Sequence, residues 1–141
     1  MPPFPTEQTA VRDVVVHYRS GEILKGHVTG FSGEDAEFRL RPLGGLLAEV
    51  SVHLSQLKAV FFVKDFVGNS AYDEIKAFHE ASQSGPGSRM EVALFDGELL
   101  VGTVASYQPH GQGFFLVPAD PKSNNVSCFV VASAVRRASV I

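Results

Sequence analysis

Val16-His17-Tyr18-Arg19-Ser20-Gly21-Glu22-Ile23-Leu24-Lys25-Gly26 returns 76 residues later as Val92-Ala93-Leu94-Phe95-Asp96-Gly97-Glu98-Leu99-Leu100-Val101-Gly102. The echo continues with Phe38-Arg39-Leu40-Arg41-Pro42 against Phe114-Phe115-Leu116-Val117-Pro118. An internal repeat constrains architecture before any propensity does, because each copy must be one supersecondary unit. Two copies of a small β unit therefore account for most of the 141 residues.

Within the quoted stretch Val14, Val16 and Tyr18 alternate with Val15, His17 and Arg19, the period-two pattern of a half-buried strand. Ser20-Gly21 turns the first copy and Asp96-Gly97 the second, and glycine supplies the positive φ that a tight hairpin demands. With a glycine bulge Val16 faces Leu24 and Val14 faces Gly26, so the apolar faces agree. Gly26 and Gly102 then mark a bend inside the second strand of each copy.

Further strands are expected at Ala36–Arg41, Ala48–Leu54 and Leu57–Val63, the last with Phe61-Phe62-Val63 pointing to burial on both faces. The second copy repeats the order at Met90–Phe95, Leu99–Tyr107, Gly113–Val117, Asn125–Val131 and Ala134–Val140. An offset of 76 aligns the copies through Val50 and Val126, and a slip of two then sets Ser55 against Ser133. Between the copies Tyr72, Ile75 and Phe78 form the one helical stripe, followed by the flexible link Gln83-Ser84-Gly85-Pro86-Gly87-Ser88. The expected organisation is mainly all-β: a first five-stranded barrel over 11–66, a helix and linker over 67–88, and a second barrel over 89–141.

Apolar content of 45% with 19% charged residues is that of a globular chain. Net charge is −3, and neither half is the cationic body of a sequence-indifferent nucleic-acid binder. The single cysteine, Cys128, permits no intrachain disulfide and reads as a buried strand filler. No cationic start followed by an apolar run opens the chain, and no stretch is long enough to span a bilayer, so a cytoplasmic protein is expected.

The glycine spacing Gly21-Glu22-Ile23-Leu24-Lys25-Gly26-His27-Val28-Thr29-Gly30-Phe31 resembles the first motif of the Sm-like (LSm/SH3-like) small barrels. Leu57-Lys58-Ala59-Val60 and Val135-Arg136-Arg137-Ala138 are similar in shape to the second motif. The chain also resembles an uncharacterised bacterial family of such tandem repeats, sometimes attached to PilZ-type domains. Sm-like barrels pair edge strands, so the resemblance implies a ring- or dimer-forming homo-oligomer as one role and RNA binding as another. RNA readers of that type use an Asp and an Asn after the second strand. Ser32 or Gln108 stands in the Asp place, Ala36, Glu37, Gln112 or Gly113 in the Asn place, and Ala59 or Arg137 replaces the second-motif Gly. The frame is kept and the base-reading side chains are not.

Candidate ligand-binding residues are few. Asp120, Ser123, Asn124 and Asn125 lie in Pro118-Ala119-Asp120-Pro121-Lys122-Ser123-Asn124-Asn125, the stretch that diverges most from its copy, Leu43-Gly44-Gly45-Leu46-Leu47. They can read a polar ligand or peptide, or simply close a turn on their own backbone. His110 lies in a Gly-rich segment, and Arg39 with Arg41, and Arg136 with Arg137, can meet phosphate or carboxylate. The five histidines show no metal-ligand spacing, and no nucleophile elbow or phosphate loop occurs. The expectation is a non-catalytic binding or regulatory module without cofactor or metal, recognising a protein or a small polar ligand.

Overall fold

The computed structural model describes residues 11–44, 48–67, 76, 87–105 and 111–141. Its strands are β1 (Val11–Tyr18), β2 (Ile23–Thr29), β3 (Glu37–Pro42), β4 (Val50–His53), β5 (Leu57–Val63), β6 (Ser88–Leu94), β7 (Leu99–Val104), β8 (Gly113–Pro118), β9 (Asn125–Val131) and β10 (Val135–Val140). Short 3-10 turns, Leu54–Gln56 and Ala132–Ala134, join β4 to β5 and β9 to β10. The expected helix and link fall largely outside the described residues. Among those described, no helix is long and apolar enough to cross a membrane.

The strands form one antiparallel sheet in the order β10-β6-β7-β8-β9-β5-β1-β2-β3-β4. The expected separation into two hydrogen-bonded units gives way to one continuous ladder, because β5 pairs with β1 on one side and with β9 on the other. Among the described residues neither half closes by pairing its own fourth and fifth strands.

Both hairpins use the same turn. Tyr18 N–H donates to the Glu22 carbonyl at 2.9 Å and Gly21 N–H to the Tyr18 carbonyl at 3.0 Å, with Gly21 at φ +98°. Leu94, Glu98 and Gly97 repeat these bonds at 2.9 and 3.0 Å, with Gly97 at φ +91°. The result is the bulged register expected from the sequence, Val16 opposite Leu24 and Val14 opposite Gly26. At the bend a Cβ on Gly26 would fall on the Arg41 carbonyl oxygen, and one on Gly102 on the Val117 carbonyl oxygen. Each glycine lets the third strand cross close beneath the second.

The duplication holds pair by pair. Val16 opposite Val60 is repeated by Val92 opposite Ala138, and Phe38 opposite Val52 by Phe114 opposite Val130. Both fifth strands carry an irregularity at the same point of their ladder. The two-residue slip, however, lies earlier than the sequence suggests. Leu40 pairs with Val50 but Leu116 with Cys128, so the insertion sits between the third and fourth strands of the second copy. Its effect is a longer fourth strand: β9 runs seven residues and β4 only four. The extra residues extend the ladder along β5, placing Ser127 opposite Phe62 and Asn125 opposite Val63.

Two cores lie on opposite faces of the β5–β9 pair. Val14, Val16, Val28, Leu40, Val52, Leu57, Val60 and Phe62 from β1–β5 form one, completed by Phe129, Val131 and Ala134 of the second copy. Met90, Val92, Leu94, Leu100, Phe114 and Leu116 form the other with Cys128 and Val130, completed by Ala59 and Phe61 of the first copy. Alternation along a strand sends successive side chains to opposite faces. The apolar run Ala59–Val63 of β5 can therefore serve both cores, which is why Phe61 and Phe62 are both buried. Phe129 is expected to matter most to stability, since its ring lies against Gly33 and Gly113, where any side chain would collide with it. Phe129→Ala should cost about 3–5 kcal/mol, and Gly26→Ala or Gly102→Ala about 1–3 kcal/mol by overpacking. Urea denaturation of each variant measures these losses.

Candidate groove at the seam between the halves

The bulge between Phe62 and Val63 steps the β5–β9 ladder past Val126, which turns outward at 48% exposure. Val11, Arg12 and Asp13 of β1 face it across Phe62 and Val63, enclosing an open groove of about 290 Å³. The Arg12 guanidinium carbon stands 4.1 Å above the centre of the Phe62 ring, a cation–π contact that holds a charge on an apolar floor.

Next to the groove lies an aromatic cluster. Phe31 packs edge-on against Phe38, Phe62 and Phe129 at centroid distances of 4.9, 5.4 and 5.3 Å. Phe115 meets Phe129 at 5.1 Å and Phe62 at 6.2 Å, yet stays 39% exposed. Val117 on the same strand is 52% exposed. These two residues stand where the first copy has Arg39 and Arg41, so the duplicate has exchanged two cations for apolar surface beside the seam. Comparing the copies position by position carries that signal, and reading each copy alone does not. Arg12 and Val126 were legible only once β5 was known to pair with β9.

The residues singled out from the sequence do not converge. The loop that follows β8 closes on itself: Lys122 N–H donates to Asp120 Oδ1 at 2.9 Å, Ser123 N–H to the Asp120 carbonyl at 3.1 Å, and Asn125 N–H to Ser123 Oγ at 3.0 Å. Asp120 and Ser123 are buried. Asn124 Nδ2 donates to the Asp65 carbonyl at 2.8 Å, and its own carbonyl accepts from Lys64 N–H at 2.9 Å. This loop ties the end of β9 to the end of β5, which is turn chemistry rather than an open binding surface. Arg39 and Arg41 are exposed on β3, with Arg41 opposite His27, itself 2.9 Å from Asp13. Arg136 and Arg137 are exposed on β10 at the far end of the strand order, Arg137 lying 3.8 Å from Glu91. His110 lies outside the described residues.

The opposite end of the seam is polar. Lys58 of β5, 11% exposed, reaches Asp96 at 2.7 Å and also pairs with Glu98, both on the hairpin of the other half. Burial works against the charged amine, but hydrogen bonds to both carboxylates outweigh it and raise the Lys58 pKa. The same bond from Lys58 holds the Asp96 carboxyl below its ordinary range. Arg19 Nη2 donates to the Ser133 carbonyl at 2.9 Å, a second tie between the halves. His17 lies edge-on to Phe61 at 4.6 Å, and burial pushes its pKa down, with Glu98 partly opposing.

Among the described residues no group of three or more His, Cys, Asp or Glu side chains is placed to hold a metal ion. Residues 10–141 match the model of a family of unknown function (DUF6982). No curated protein and no solved structure matches the chain.

His17 sets a pH dependence. Its pKa in the folded chain lies below the ordinary 6.5, so the unfolded chain binds more protons in that window. The stabilising contribution is full above pH 6.5 and is lost as pH falls towards the lowered value. Stability should decline by at most ~1.4 kcal/mol per pH unit there. His17→Gln should flatten the decline, as read from thermal melts across about pH 5–7.5.

Proposed function

The chain belongs to the DUF6982 family, and on that footing we propose a non-catalytic binding module that captures a protein partner in the groove between β1, β5 and β9. The reading takes the two halves as Sm/SH3-like barrels merged edge to edge, in keeping with the repeated bulged hairpins and glycine bends. One observation carries it: a cation held over the ring of a buried aromatic, Arg12 on Phe62, beside exposed Val11, Val126, Phe115 and Val117. Apolar surface with arginine at its centre is the composition of the energetic core of protein interfaces. The volume of about 290 Å³ lies at the lower bound of small-molecule sites and suits one or two side chains of a partner. Asp13 at the rim, bonded to His27, supplies an acceptor that orients a polar group.

A photo-crosslinking amino acid at position 126 tests this, with the same group at position 23 as control. Ile23 is equally exposed but lies at the opposite end of the β1–β2 pair. Position 126 should yield a defined protein adduct in cells of the source organism and position 23 should not. Arg12→Glu should reduce the adduct by about tenfold, the cost of losing a central interface cation, without lowering the melting temperature appreciably. Adducts that are the same from both positions, or insensitive to Arg12→Glu, would refute the groove as the binding surface.

A further inference from the structure

The fold shows once, internally, what its fifth strand does with a free edge: β5 takes β9 as an antiparallel neighbour over Ala59–Val63. β10 is the same strand in the second copy, in the same register against its own first strand and with the same irregularity. Among the described residues its outer edge has no neighbour. We infer that this edge of β10 is a docking site for an extended acidic segment of another protein, added as one more antiparallel strand.

The backbone of β10 presents to the outside the row of N–H and C=O groups that β5 presents to β9, and an open row of this kind is a template for an incoming strand. The side chains state the charge of the occupant. Arg136 stands where Lys58 stands in the first copy. Lys58 receives Asp96 and Glu98, two carboxylates carried by the half that donates β9. Both carboxylates come from the β6–β7 hairpin and not from β9, so at the corresponding position on β10 an incoming segment must itself carry the acidic groups that meet the cation. Arg136 is exposed and has no ion-pair partner among the described residues. Its neighbour Arg137, 67% exposed, is held only by the long 3.8 Å contact with Glu91. Arginine suits this task because its fork donates two parallel hydrogen bonds to one carboxylate.

The same comparison argues against a second copy as the occupant. The strand a second chain would offer by the internal rule is β4, which is four residues long and lacks the insertion that lengthens β9. It carries Ser51 where β9 carries Phe129, and Ser20 replaces Asp96, leaving only Glu22 in the place of Glu98. On β10 Ala138 and Ser139 replace Val60 and Phe61. A contact between small and polar residues lacks the apolar burial that makes the internal seam permanent. It fits a partner that binds reversibly through main-chain bonds and charge.

The test is a fluorescence-anisotropy titration of the full chain with a labelled peptide of about ten residues, a usual upper strand length, alternating Glu with Val and Thr. The same peptide with Lys for Glu is the control, and backbone amide NMR maps the contact. The acidic peptide should bind, shift amides of residues 135–141 and leave those of β4 unmoved. Added salt should weaken it, and the double variant Arg136→Glu, Arg137→Glu should cost about tenfold or more in affinity, two charge contacts being reversed. Arg12→Glu should leave it unchanged, which separates this site from the seam groove. Failure of the acidic peptide to bind, equal binding of both peptides, shifts away from β10 or indifference to the double variant would overturn the inference. Concentration-dependent protection of β10 amides without peptide would overturn it too, by making a second copy the occupant.

Discussion

Hydrogen bonding between β5 and β9 is the contact on which the rest of the molecule depends. Each half has about the size at which a lone apolar core is only marginally sufficient. The pairing removes that weakness by sharing side chains. Phe129, Val131 and Ala134 cross into the core of the first half, and Ala59 and Phe61 cross into the core of the second. One ladder thus completes two cores, each on its own face. The polar ties at its two ends, Lys58 with Asp96 and Glu98 at one and Lys64 with Asn124 at the other, set the register without entering either core.

The two copies share their hairpin register and differ in side chains. Two residues inserted before β9 lengthen it to match β5, while β4 stays short. At the seam Cys128–Val131 of β9 and Ala59–Val63 of β5 are apolar. At the free ends the counterparts of Phe129, Ala59, Val60 and Phe61 are Ser51, Arg137, Ala138 and Ser139. Charge and brevity on an exposed edge also discourage indiscriminate pairing. The outer face of the third strand diverges in the opposite sense, from Arg39 and Arg41 to Phe115 and Val117, next to the seam. The third strand therefore presents apolar surface beside the shared pair and cationic surface near the β4 margin.

Much of this was legible before coordinates. Alternation located the strands, and the agreement of apolar faces in the Ser20-Gly21 hairpin chose the bulged register that the structure has. Phe61-Phe62-Val63 announced burial on both faces. Cys128-Phe129-Val130-Val131 is likewise buried along its whole length. The pairing itself stayed hidden because no local pattern encodes a neighbour nearly 70 residues away. The place of the insertion is hidden for a related reason: Val50 and Val126 agree as letters, and only the ladder shows that Cys128 is the counterpart of Val50. Asn124 and Asp120 diverge from the first copy, and that divergence serves the turn that leads into β9. The groove was invisible because Arg12, Phe62 and Val126 come together only across the seam.

Native-state hydrogen exchange resolved by residue tests the shared ladder most directly. If β5 and β9 join the halves into one cooperative unit, their amides should exchange only through global unfolding, with the same free energy and denaturant dependence in both strands. The amides of β4 and β10, at the ends of the order, should exchange sooner. Independent values for the two halves, or β5 amides that open while β1 and β2 remain protected, would contradict it.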